Sequence, residues 1–495
     1  MPIATPVEER LRDVPPEDWA ATPQSVRERF VTLVMDLQKS MDLLEVLSAR
    51  VKHLEDRLAK DSHNSSRPPT TDSRRRSKKD RSLRKKSGRK TGAQPGHAGQ
   101  TLHMVEHPEK IIELVPQQCE HCGQSLEAEA VTETERRQVL DLPPIRLEAI
   151  EYQAHKKRCP HCHRTTKAAF PEGVTQVVQY GSEIKSTAVY LHIYQLLPYE
   201  RTVELMSDLF GAAPAEGTLA LTSRQCADAL VETEEQIKKA LQESAVMGLD
   251  ETGMYVAGKR EWLHAAVTPE LTHYGRHAKR GKEGTDAIGI APGFHGQGIH
   301  DGWAPYLKYT WQHRFCNAHH CRELTFLHEE HHQPWAKKLK ELLFAIKDAV
   351  EEAKGAQQDH LSETLRRRFR KRYGQILAEG LRLNPGIEVR HEGKKRGRLK
   401  QSPSRNMLVN LSQRAEGVLG FMNDFRVPFD NNQVERDLRM MKLQQKISGC
   451  FRSSEHADGF CRIRSYLSTM KKQGRKVLES IQAALVGTPF SPVCP

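Results

Sequence analysis

Three acids stand where a carboxylate serves a fold poorly unless something binds it. Asp250 follows the apolar run Ala245 to Leu249, Asp301 follows a second short run at Gly298 to His300, and Glu435 opens the helical pattern after Pro428-Phe429-Asp430. Singly, each reads as a surface acid or a cap, with Asp430 the natural N-cap. Together they have the composition that phosphoryl transfer asks for. Two Mg²⁺ or Mn²⁺ ions held ~4 Å apart activate an attacking oxygen and stabilise a leaving one, and carboxylates are the hard ligands such ions need. Without metal the three acids repel one another, which makes metal dependence an expectation.

A second chemistry lies in the cysteines. Cys119-Glu120-His121-Cys122 and Cys159-Pro160-His161-Cys162 are two knuckles whose four thiolates close one tetrahedral Zn²⁺ shell, so this ion is expected to be structural. The separation of the pairs leaves room for a small sheet between them, and Glu148 to Tyr152 is a candidate strand. A redox role for either pair is the competing reading. Cys316-Asn317-Ala318-His319, with Arg322 beyond, is a further pair of soft ligands. No partner pair with ligand spacing follows it, which favours support of the active site or DNA contact over a second zinc.

These groups need elements to position them. Four short β-rich runs, Ala245 to Leu249, Gly253 to Ala257, Trp262 to Val267 and Leu271 to Tyr274, predict an antiparallel meander. A helix near Thr285 to Ile290 and a strand at Gly298 to His300 follow, then a charged helical stretch from Asn317 to Asn423 with a basic loop at Glu392 to Ser404. Tyr180 to Ala240 reads as helical with a break at Phe210 to Pro214. The helices around that break are either a helix-turn-helix or a hairpin that merely packs. Phe30, Leu37, Leu44, Val51 and Leu58 recur every seventh residue, a seam that needs a partner helix, from a second copy or from the same chain.

Composition narrows the partner. The chain has 495 residues, 37% hydrophobic, with a formal net charge of +13. So basic a protein favours a polyanion, and nucleic acid is the commonest. Arg74 to Lys90 holds eleven basic residues against Asp80 alone, and Arg74, Arg75, Arg76, Lys78, Lys79, Arg84, Lys85 and Lys86 are read as a linker arm contacting DNA phosphates. Arg436 and Arg439, on the helix of Glu435, serve either phosphate contact or surface ion pairs. No apolar run reaches the ~20 residues of a membrane span, so no membrane role is expected, and the location expected is cytoplasmic and nucleoid-associated.

Several segments together resemble one family. Asn64-Ser65-Ser66-Arg67-Pro68-Pro69, both knuckles, Leu197-Pro198-Tyr199-Glu200-Arg201, Glu216-Gly217-Thr218-Leu219, Asp250-Glu251-Thr252, Val427 to Arg436 and Lys446 to Ser453 are similar, in order, to transposases of the insertion-sequence 66 family. The resemblance implies a multidomain α+β chain with an RNase H-like α/β core in two parts, 245–319 and 426–485, around a helical insertion at 320–425. Ahead of these would come a zipper-like helix (1–60), a basic linker (61–100), a zinc ribbon-like domain (101–175) and a helical domain (176–244), with a short tail at 486–495. By motif, Asp250, Asp301 and Glu435 are its first, second and third acids, with Asp430 or Asp437 the alternatives for the third. His300 and Trp303 depart from the usual neighbours of the second acid. The implied activity is metal-dependent cleavage of element ends and strand transfer, by a homodimer or larger assembly on terminal repeats and target DNA, with small accessory proteins as further partners. A nuclease that does not join strands and a binding-only regulator are the alternatives.

Overall fold

The computed structural model describes residues 14–61, 63–65, 92, 102–143, 145–386 and 401–493. The basic arm and the predicted loop from Glu392 lie outside the described residues, the few at 401–404 excepted. A short helix α1 (Pro16–Ala21) precedes α2 (Gln24–Ala59), which carries the heptad seam. Of that helix only Val34 is buried, while the seam residues Leu37, Leu44, Val51 and Leu58 are exposed. Trp19 of α1 meets Phe30 edge to face.

The knuckle region contains β1 (Lys156–Arg158) paired antiparallel with β2 (Thr165–Lys167). These strands flank the second knuckle, whereas Glu148 to Tyr152 is not a strand, which corrects the expectation. A hairpin closed by the tight turn of Cys159 to Cys162 needs strands on either side of that turn.

Next come α3 (Ser182–Val189), a π-helical turn at Tyr190–Tyr194, α4 (Tyr199–Phe210), α5 (Glu216–Ala229) and α6 (Val231–Glu243). Gly211 ends α4 in the left-handed conformation, the usual helix stop. Its successor α5 buries Leu219, Thr222, Ser223, Cys226 and Ala227, and carries Arg224 as its one basic residue. The two helices pack against each other, an arrangement that the helix-turn-helix and the packed-hairpin readings share.

A five-stranded sheet follows: β3 (Val246–Val256), β4 (Lys259–Val267), β5 (Thr272–His277), β6 (Gln297–His300) and β7 (Gln312–Phe315), with α7 (Lys282–Ile288) between β5 and β6. The order is β5-β4-β3-β6-β7. The first three strands are antiparallel, and β6 and β7 join parallel to β3. The two short runs expected at 245–249 and 253–257 are one eleven-residue strand. Gly253 does not break it, because Glu251, Thr252 and Gly253 pair with His264, Leu263 and Trp262. The hairpin turn comes later, at Ala257 and Gly258, both with positive φ as a two-residue turn requires.

Beyond the sheet, α8 (Asn317–Glu329), α9 (Pro334–Gly355), α10 (Glu363–Leu383), α11 (Pro403–Gln413) and α12 (Ala415–Val418) build a second core around the fully buried Trp335. The end of α2 docks there, with Asp56 paired to His331 at 3.1 Å and Lys60 4.9 Å from the Phe326 ring. The chain then returns to the sheet through α13 (Asn432–Ile447), α14 (Ser454–Lys472) and α15 (Val477–Leu485). Strand alternation divides the sheet's side chains. Met254, Val256, Leu263, Ala265 and Tyr274 pack with α13 to α15, and Met247, Leu249 and Ala266 pack with Ile237 and Leu241 of α6. Among the described residues, no helix is long and apolar enough to cross a membrane.

Candidate active site and metal centres

Register brings two of the acids level. Pairing of β3 with β6 ends at Gly248 opposite Ile299, and Asp250 and Asp301 each lie two residues further on. Both therefore sit at the carboxyl end of the parallel strands, where open α/β sheets place their ligands. Asp250 shares the strand face of Gly248, the face covered by α13. A Cβ on Gly248 would stand 2.5 Å from Val434 Cγ2 and 2.6 Å from Asn431 Oδ1, so only glycine lets α13 approach this closely. Asn431 Nδ2 donates to Leu249 O at 3.0 Å and fixes the start of α13 beside the strand. One turn on, Glu435 contacts His319 Nε2 at 3.0 Å and Arg322 at 3.6 Å.

Burial, the carboxylate of Glu251 and then that of Asp301 push the Asp250 carboxyl up to about 7, against the hydrogen bond from the Glu251 amide. Neither Asp250 nor Asp301 has an ion pair among the described residues. Asp301 accepts the Trp303 amide at 2.8 Å, and Gly302, at φ +89°, turns the chain away from β6. Glu435 differs: burial raises its carboxyl, but the His319 hydrogen bond and the charge of Arg322 bring it below its ordinary value.

Glu251, to which the sequence reading gave no role of its own, lies on the opposite face of β3. Its carboxylate is held by Arg280 Nε at 2.8 Å and by the Tyr306 hydroxyl at 2.6 Å. Arg280 also stacks on Trp262 and Trp303. Adjacency to Asp250 was the only available signal, since Arg280 is far away in sequence.

Of the alternative third acids, Asp430 accepts the Asn432 amide at 3.1 Å. The cap position itself is Asn431, one residue later than expected. Asp437 points away, tied to Lys472 at 2.9 Å and to Thr272 at 3.2 Å. Arg436 and Arg439 are on the exposed side of α13. A cleft of about 1030 Å³ opens at the other ends of β3 and β6, around Ala245 and Gly296, and holds none of these acids.

Each knuckle is formed as a tight turn. Backbone amides of His121 and Cys122 lower the Cys119 thiol, and those of Cys162 and His161 lower Cys159. The two pairs are not brought together: no three of the four sulfurs lie within 4.8 Å of one another. Among the described residues, that closeness of three ligands occurs only at Cys316, His319 and Glu435.

Residues 177–459 match the model of the transposase IS66 family, and residues 116–163 match the zinc-finger binding domain of transposase IS66. Residues 20–103 match a family of unknown function. No curated protein matches the chain.

Proposed function

Because the chain belongs to the IS66 transposase family, we propose that it cuts DNA at the ends of a mobile element and joins the freed strand to a target. The observation that carries this reading is that Asp250 and Asp301 stand level at the ends of the β3–β6 pairing, with α13, the helix that bears Glu435, seated against β3. The strand order fits the RNase H-like core that the family resemblance implies.

The acids fit divalent ions. Asp250 is a carboxylate held protonated to about pH 7 by burial and neighbouring acids, and a cation relieves that cost. Asp250, Asp301 and Glu435 would hold the two Mg²⁺ or Mn²⁺ ions, which supply Lewis-acid stabilisation to an in-line displacement at phosphorus. The residues do the positioning. The β3–β6 ladder fixes the first two carboxylates, and the Asn431 to Leu249 bond fixes the helix that bears the third. Arg322 and the exposed Arg436 and Arg439 supply positive charge for phosphates. The four knuckle cysteines would hold one structural Zn²⁺, each pair supplying half of a tetrahedral shell. The basic arm and a homodimer paired through α2 complete the proposed assembly on DNA.

Incubation with element-end DNA and Mg²⁺ or Mn²⁺, followed by addition of target DNA, tests the reading. Cleaved ends and joined products are expected. Cleavage without joining means a nuclease, and end binding without cleavage means a regulator; either overturns the proposal.

A further inference from the structure

Cys316 closes β7 and caps α8, which places its sulfur and the His319 ring on one side of the first turn. Their setting is rigid. The Cys316 amide donates to His300 O at 3.0 Å, the Asn317 amide to Phe429 O at 3.0 Å, and Asn317 Nδ2 to Val418 O at 3.0 Å. The third ligand arrives 116 residues later, when α13 sets Glu435 Oε1 3.0 Å from His319 Nε2. Sulfur, nitrogen and oxygen then lie within 4.8 Å of one another. Burial pushes the Cys316 thiol up to about 12, and its sulfur accepts the Asn431 amide at 3.2 Å and a backbone amide from His319, which offset part of that rise.

We propose that Cys316, His319 and Glu435 Oε1 form a binding site for a thiophilic divalent ion of the Zn²⁺ class, distinct from the knuckle zinc and adjoining the proposed hard-ion site, with which it shares the Glu435 carboxylate. The donor set decides the class: a thiolate and an imidazole suit Zn²⁺ and disfavour Mg²⁺, which takes oxygen ligands. Three protein ligands leave a fourth position. It faces solvent, since the His319 and Glu435 side chains are 21% and 31% exposed while Cys316 is buried beneath them. Cys321 is not a ligand, because it lies inside the helical core. The occupied site ties α13 to α8 and so sets the third acid's distance from Asp250. That consequence rests on the proposed function; the binding itself does not.

The test is zinc per chain, measured by elemental analysis on full-length protein without DNA. Wild type is expected to hold one equivalent more than Glu435→Gln, which keeps the side-chain shape at a half-exposed position and so preserves the fold. Cys316→Ser should lose the same equivalent. Co²⁺ substitution should show a thiolate charge-transfer band that persists when Cys122 and Cys162 are serine and vanishes when Cys316→Ser is added to that double-serine protein. Equal zinc in wild type and Glu435→Gln, or no band in the double-serine protein, overturns the site. A chain that binds this ion but cuts no DNA overturns the function and leaves the site standing.

Discussion

Between Leu102 and Val178 no described side chain is buried, whereas β3 and β4 are packed on both faces by helices. Both regions carry residues suited to metal, but they prepare them differently. In the sheet, burial of Met254, Leu263, Tyr274 and Phe460 fixes the backbone, and the carboxylates are placed by a scaffold that needs no ion to stand. In the knuckle region Leu102, Ile111, Leu114, Val139 and Leu142 remain exposed, so there is no apolar core to set one pair of cysteines against the other. The proposed zinc ion would do there what hydrophobic burial does in the sheet.

The sharpest way to separate the two is to remove ligands from each. Asp250→Ala, Asp301→Ala and Glu435→Ala should each reduce cleavage and joining by at least about a hundredfold, while end binding changes by no more than a few fold. Thermal melting should stay cooperative, because the sheet does not depend on its ions. Joining by Glu435→Ala in Mg²⁺ would show that Glu435 is not the third acid. Cys122→Ser should do the reverse. Structural zinc supplies ~10–16 kcal/mol in small metal domains, so limited proteolysis should cut between residues 102 and 178 while the fragment from 182 onward resists. Equal resistance to protease in the mutant and the parent would mean that this region is held by something other than zinc.

Packing provides the next test. Gly248→Ala drives a methyl group into Val434 and Asn431, at a cost of about 1–3 kcal/mol typical of overpacking, read as a lower melting temperature. Cleavage should fall further than the stability loss explains, because α13 carries Glu435.

The smallest effect is one of pH. A carboxyl raised to about 7 in the folded chain keeps its proton where the unfolded chain, ionising near ~3.9, has lost it. Metal-free protein should therefore lose stability as pH rises from about 4 to 7 and level off above that. Asp250→Asn should flatten this slope, and added Mn²⁺ should offset it. An unchanged slope in Asp250→Asn would place the proton elsewhere.

How much could be read from the residues alone followed the range of the forces involved. Trp262 to Val267 and the helices around Phe210 to Pro214 are local patterns of period and breaker residues, and they appear as expected. The continuity of β3 was hidden because Asp250-Glu251-Thr252-Gly253 has turn composition, and only pairing with β4 makes it a strand. Strand β7 was missed because Gln312, His313 and Arg314 are polar and gain their place from β6 alongside. The acids stood out by type and motif. Their partners did not: Glu251 to Arg280 spans 29 residues and His319 to Glu435 spans 116, distances over which sequence spacing carries no signal.

The uninterrupted β3 also bears on how this chain can change. Successive residues of a strand face opposite sides, so Asp250 is turned to α13 and Glu251 to Arg280 and Tyr306. Deleting or inserting one residue between Gly248 and Asp250 would leave every residue of the motif in the gene and exchange the two sides, giving the open site the acid whose neutralising arginine is on the other face. Substitutions along β3 are graded in effect, whereas a shift of one codon is all or nothing. Length variation among related chains should therefore collect at the Ala257-Gly258 turn and in the helices from Pro334 to Gln413, and spare the segment from Val246 to Val256.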